Sequence, residues 1–312
     1  MNRSLRTVLL LAGSLALIGA AGPAAGQAPS WSWDGRHDMA SFKTEEITKT
    51  LRFADSAKPG ELVVDNLCGP ITVEAHSGPE IVLEAKKIVY ARDEARARKA
   101  EQEVRLDLTG KGNTVTAYVD GPFREDRRED REPGPRPRRD PGYMVYYGFR
   151  LKVPARTNLV LSTVLDGDIE VRGVEGTFDV RNVTGRVRLV DAAGSGDVQA
   201  VSGGVTVVFK RAPEGPCSFK TVSGDVEVGF PAAPSADFRI KTMHGQAYSD
   251  FDVTDLPKAP PVREERREKD GKYVYRSDGA YGVRAGRGGP EIRLETLTGD
   301  ILIAKRSKLI SQ

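Results

Sequence analysis

A chain of 312 residues with 47 Lys+Arg against 44 Asp+Glu carries a formal charge of only +3, too small a basic excess to suggest a nucleic-acid binder. Its 33 Gly and 19 Pro call for frequent turns between many short elements, in a chain long enough for a substantial core. Two cysteines and three histidines, scattered through the sequence, argue against a zinc cluster, an iron–sulfur site or a disulfide-dense miniprotein.

Arg3 and Arg6 precede an apolar run from Val8 to Ala21, and small residues from Gly22 to Ala28 follow it. This three-part order reads as a secretory signal peptide over 1–28, with Ala24 and Gly26 suited to cleavage before Gln27. The apolar run is short for a membrane span, and nothing later in the chain is apolar enough to be one. The reading is an exported protein of the periplasm, cell surface or extracellular space, with a flexible tail over 29–42 and a single domain over 43–310.

From Gly60 a short phrase recurs, a turn glycine followed by alternating apolar and polar residues. It stands at Gly60-Glu61-Leu62-Val63-Val64, Gly69-Pro70-Ile71-Thr72-Val73 and Gly78-Pro79-Glu80-Ile81-Val82. Ala91 to Glu103 breaks the beat with helix formers and a Glu94/Arg98 pair at i,i+4, which predicts one amphipathic helix. Strand character resumes from Val104 to Val119. The stretch 123–142 is rich in Arg, Pro and acids and almost free of apolar residues, so it is expected to be a disordered insertion. Tyr143 to Phe149 then alternates as a core or edge strand would, or as an aromatic platform for a sugar.

The phrase returns at Gly167-Asp168-Ile169-Glu170-Val171 and again from Gly176, Gly185, Gly196, Gly204, Gly224 and Gly299. Strict alternation over five residues bounded by glycine predicts half-buried strands. Recurrence of the same phrase, and not merely of the same spacing, favours a stacked repeat. The fold class is therefore all-β, a β-solenoid resembling a single-stranded β-helix, with a β-sandwich as the alternative. Ile169, Val171, Phe178, Val180, Val187 and Leu189 would form an inner ladder. With two units per coil, Glu170 and Arg188 would be outward neighbours on adjacent coils. A second polar insertion is expected over 255–289, where Tyr273, Tyr275 and Tyr281 suggest a hairpin.

The turns are preceded by a recurrent Thr/Asn-x-Ser/Thr-Gly step: Asn182-Val183-Thr184-Gly185, Thr221-Val222-Ser223-Gly224 and Thr296-Leu297-Thr298-Gly299. Thr242-Met243-His244-Gly245 and Thr163 to Gly167 are looser copies. With the opening Leu62 to Asn66 strand and the closing Gly299 to Ile301 strand, this series resembles the bacterial putative-adhesin family of exported domains of unknown function. The resemblance runs from about Lys43 to Lys305, broken by the two polar insertions. It implies a β-solenoid-like fold in the envelope, no catalytic residues and no cofactor.

The chain's own residues point the same way. The turn carboxylates Asp166, Asp168, Asp197, Asp225 and Asp300 would matter for calcium or for a β-helical polysaccharide lyase or hydrolase, the alternative function. Aspartate is, however, a favoured turn residue in its own right. No metal site, nucleophile elbow or phosphate loop is recognisable. Candidate surface-binding residues are Arg172, Arg181, Arg186 and Arg188, whose forks match anionic groups, together with Tyr146 and Tyr147. Cys68 and Cys217 are an even pair in a chain read as exported, so a disulfide between them is permitted. The reading is a non-enzymatic interaction or structural module whose partner is an envelope protein or glycan, with the oligomeric state open.

Overall fold

In the computed structural model of the chain the described residues are 39–122, 124, 141–257, 262–264, 274–276 and 281–310. The signal peptide, most of the expected tail and the insertion residues 125–140 lie outside them. Among the described residues the first elements are β1 (Ala40–Arg52), β2 (Gly60–Asp65), β3 (Ile71–His76), β4 (Glu80–Ala91), α1 (Glu94–Glu103), β5 (Arg105–Lys111) and β6 (Thr114–Asp120). Next come β7 (Tyr143–Pro154), β8 (Thr157–Thr163), β9 (Ile169–Arg172), β10 (Phe178–Thr184), β11 (Val187–Ala192), β12 (Gly196–Ser202), β13 (Val205–Phe209), β14 (Cys217–Ser223) and β15 (Val226–Phe230). The rest is β16 (Ala236–His244), β17 (Ala247–Ser249), β18 (Val253–Asp255), β19 (Val262–Glu264), β20 (Val274–Arg276), β21 (Tyr281–Ala285), β22 (Glu291–Thr298), β23 (Ile301–Lys305) and α2 (Arg306–Ile310).

Two sheets face each other. The first runs β1-β4-β7-β3-β9-β11-β13-β15-β23-β17 and the second β18-β21-β16-β22-β14-β12-β10-β8-β2-β6-β5. Successive strands alternate between the sheets, so β8/β9, β10/β11, β12/β13 and β14/β15 are four coils of a β-solenoid with parallel ladders. Ile169, Val187 and Val205 are register partners at intervals of 18, and Val226 follows at 21. Glu170 lies opposite Arg188, as the repeat predicts.

The alternation of the sequence becomes three inner columns. Ile71, Ile169, Val187, Val205, Val226 and Ile301 stack in one, and Val73, Val171, Leu189, Val207, Val228 and Ile303 in the next. Leu161, Val180, Val198, Phe219, Leu294 and Ile240 face them from the second sheet. None of these side chains is more than 3% exposed, so each contributes about 1.5–3 kcal/mol of hydrophobic burial.

Three features depart from simple winding. The last coil, β22/β23, is slotted between β14/β15 and β16/β17. β7 likewise enters between β4 and β3, parallel to β3 and antiparallel to β4. Helix α2, which the sequence pattern does not announce, packs on the outer face of the first sheet, where Leu309 meets Val208 and Ala304. Gly229 permits this approach, because a Cβ there would stand 3.1 Å from the Leu309 side chain. The predicted helix appears as α1, capped by Asp93, whose carboxylate accepts from the Arg96 N–H at 2.8 Å.

Two boundaries need correction. Strand β1 starts at Ala40, inside the expected tail, where pairing with β4 satisfies its backbone. Strand β21 lies inside the expected second insertion and joins β16, because Val283 and Ala285 are apolar enough to bury. Between them β19 and β20 pair as the hairpin suggested for this stretch.

Candidate functional site

The recurrent Thr/Asn-x-Ser/Thr-Gly step forms one corner of the coils, with Ala200 in the first place on β12, and its geometry explains each residue. The chain leaves the second sheet there and turns into the first, so a glycine carbonyl points inward and needs a donor. The hydroxyls of Thr163, Thr221, Thr296 and Thr242 donate to the carbonyl oxygens of Gly69, Gly203, Gly224 and Gly299 at 2.8–3.0 Å. The Asn182 amide does the same for Gly167 at 2.8 Å. The glycines stack in a column of their own: a Cβ on Gly203 would lie 2.2 Å from the Gly185 carbonyl oxygen, and Gly203 has φ +139°. Beyond the glycine, the Asp168, Asp225 and Asp300 carboxylates accept the backbone N–H groups of Arg186, Asp300 and Gln246 on the next coil, at 2.7–2.8 Å. These turn aspartates therefore hold the stack in register, and each sits one strand spacing or more from the next.

The second position of the step has no place inside. Val164, Val183, Val201, Val222, Leu297 and Met243 are 37–64% exposed, and they are six of the eleven large apolar side chains so exposed among the described residues. Five of them occupy equivalent places on the neighbouring strands β10, β12, β14, β22 and β16, and Val164 directly follows β8, whose Thr163 is the register partner of Asn182. At about 4.8 Å per strand, the column is about 24 Å long. Beside it runs a row of exposed, uncharged Thr184, Ser202, Ser223 and Thr298. A continuous apolar stripe of this kind on a surface marks a contact site. The motif was legible in the sequence, but its second residue reads there as part of a turn. The outward parity of Val183, Val201 and Val222 was the available signal.

The residues singled out from the sequence do not gather with it. Arg172 pairs with Glu170, Arg181 with Asp179 at 2.9 Å and Arg186 with Asp168 at 3.6 Å. Arg188 donates to the Leu309 carbonyl at 2.6 Å and so holds α2. Arg172 and Arg188 lie on the first sheet and Arg181 on the second, so the four do not form one basic face. Tyr147 is not a surface residue: it is 1% exposed, stacked on Phe149 at 5.9 Å with the Lys87 ammonium 5.8 Å from its ring. Tyr146, its outward neighbour, is half-buried, and that burial pushes its hydroxyl up to about 12. Cys68 and Cys217 are both buried and are not joined by a disulfide, which corrects the disulfide expectation. Cys68 follows the end of β2 and Cys217 opens β14, four strand spacings or about 19 Å across the second sheet before any offset along the strands, against the ~7 Å limit for a bridge. Burial pushes the Cys217 thiol up to about 11.

A two-sheet β-solenoid with a glycine-stacked corner and an apolar stripe is the class of protein these observations define. Residues 157–285 match the family model described as Toastrack DUF4097, which bears out the family resemblance of the repeats over this region. Two solved structures are similar at low identity. One is a putative cell adhesion protein from Clostridium sporogenes ATCC 15579, at 12% identity over 84% of this chain and 100% of that one, with TM-score 0.45. The other is a putative adhesin from Bacteroides fragilis NCTC 9343, at 9% identity over 84% of this chain and 97% of that one, with TM-score 0.29. No curated protein matches the chain. Among the described residues, no helix is long and apolar enough to cross a membrane.

Proposed function

We propose that the chain is an exported, adhesin-like interaction module of the bacterial envelope, without catalytic activity, which holds its partners along the apolar corner. The observation that carries this reading is the stripe from Val164 to Met243, six exposed apolar side chains in register on a rigid ladder. The Toastrack match over 157–285 supports it, as does the secretory pattern of 1–28. A glycan-cleaving enzyme would need two carboxylates facing each other across a cleft. The turn carboxylates Asp168, Asp225 and Asp300 instead accept backbone N–H groups along a single edge.

The test is capture from envelope extract and from purified polysaccharides by the whole protein, beside a Val183→Glu, Leu297→Glu variant and a deletion of 125–140. Glycan turnover is followed in the same samples. Saturable capture lost in the stripe variant, with no product released, is the expected result. Capture that survives the stripe variant, or release of glycan products, would overturn the reading.

A further inference from the structure

The two margins of the apolar stripe carry opposite charge. On the second-sheet side, the outward row in register is Ser162, Arg181, Gln199, Lys220, Glu295 and Lys241, three bases to one acid. On the side beyond the glycines, the corresponding row is Asp168, Arg186, Gly204, Asp225, Asp300 and Gln246, three acids to one base. Between these margins lie the apolar column and the row Thr184, Ser202, Ser223 and Thr298, which His244 continues on β16. The column is a straight repeat of similar side chains, so it matches itself under a two-fold rotation, as an isologous contact requires.

We propose that this stripe is the contact surface for a second copy of the chain, the two solenoids lying side by side and parallel about a two-fold axis along the stack. The proposal rests on reading the corner as a contact surface, and the margins select both the partner and its direction. A two-fold axis along the stack sets each copy's basic row against the other's acidic row. An axis across the stack would set like rows together, a repulsive arrangement. The parallel arrangement also brings coils of equal height together, so Val222 meets Val222 and Val164 meets Val164. Burying the column removes apolar surface from water on both copies, while the rows at its margins fix orientation.

The experiment measures the mass of the whole protein by light scattering and sedimentation, with two kinds of variant. Val201→Glu combined with Val222→Glu places four carboxylates in the centre of the paired stripe and is expected to weaken the dimer at least about tenfold, with the circular dichroism spectrum retained. Val164→Cys, at the end of the column, is expected to cross-link to its own symmetry mate, the native Cys68 and Cys217 being buried. This second readout does not depend on the glutamate variant folding. A wild-type chain that stays monomeric at about 100 μM would overturn the proposal. A dimer indifferent to the glutamates would overturn it as well. So would a Val164→Cys chain that links only to Met243→Cys, about 24 Å along the column, the signature of antiparallel pairing. A monomer that still captures an envelope ligand through the stripe would remove the second copy while leaving the interaction module standing. A dimer that captures nothing would do the reverse.

Discussion

The hydroxyl of Thr221 donates to the carbonyl oxygen of Gly203 at 2.8 Å, eighteen residues earlier and one coil below. Thr221 is 6% exposed, so water cannot readily replace it. Thr221→Val keeps the shape and removes the donor, leaving a buried carbonyl without its side-chain partner. We expect a loss of about 1–2 kcal/mol in urea unfolding, with Thr221→Ser close to wild type. Equal stability of the valine and serine variants would show that the bond contributes nothing.

Gly203→Ala places a methyl 2.2 Å from the Gly185 carbonyl and holds alanine at φ +139°. Neither fault can relax without parting the coils, because the obstructing atom is backbone. We expect at least about 3 kcal/mol of destabilisation. Gly112→Ala is the control: its φ is +59°, nothing stands within 4 Å of a Cβ there, and only about 1 kcal/mol should be lost. Comparable melting temperatures for the two variants would rule out the stacked-glycine account.

How much of this was legible differs from one residue to the next. Glu170 opposite Arg188 follows from spacing alone, because a coil of constant length converts sequence distance into register. The inward column through Ile169, Val187 and Val205 follows from alternation. The insertion of β22 between β14 and β16 does not, since every one of these strands carries the same local pattern and only tertiary pairing chooses the neighbour. Alternation also requires one of Tyr146 and Tyr147 to face inward without naming it; the contact with Phe149 and Lys87 decides for Tyr147. Helix α2 is too short to show a period, and its place depends on the clearance at Gly229. Val183 and Val222 do not stand out as a site in the sequence because each copy alone resembles a turn, and they become a surface only when stacked.

One rung of the corner is incomplete. Ala200 is the register partner of Asn182 and occupies the position that carries Thr or Asn on the neighbouring coils, yet it has no donor. The Asn182 Oδ1 atom is buried without a hydrogen-bond partner. Ala200→Ser supplies a hydroxyl fifteen residues after Gly185, the separation at which Asn182 serves Gly167. We expect a gain of about 0.5–1 kcal/mol, seen as a higher denaturation midpoint with unchanged slope. A lower midpoint would mean that the alanine site has no room for an oxygen or no acceptor within reach.

Cys217 makes the stability of the fold depend on alkaline pH. The side chain is buried in the second sheet, and burial raises its thiol from 9.0 to about 11. In the unfolded chain the thiol ionises near 9, whereas in the folded chain it remains protonated to about 11, so the unfolded state gains the charge first. The contribution is therefore fully present below pH 9 and is lost as the pH rises through 11, by about 3 kcal/mol in all. Tyr143, Tyr146 and Tyr147, whose hydroxyls burial also raises, add losses of the same sign at higher pH. Comparing urea midpoints of wild type and Cys217→Ala from pH 7 to pH 11 isolates the thiol. The alanine variant starts lower, for want of the buried sulfur, and the gap should narrow between pH 9 and pH 11. A gap that stays constant across that range would mean that the thiol ionises at the same pH folded and unfolded, and that water reaches Cys217 between the strands.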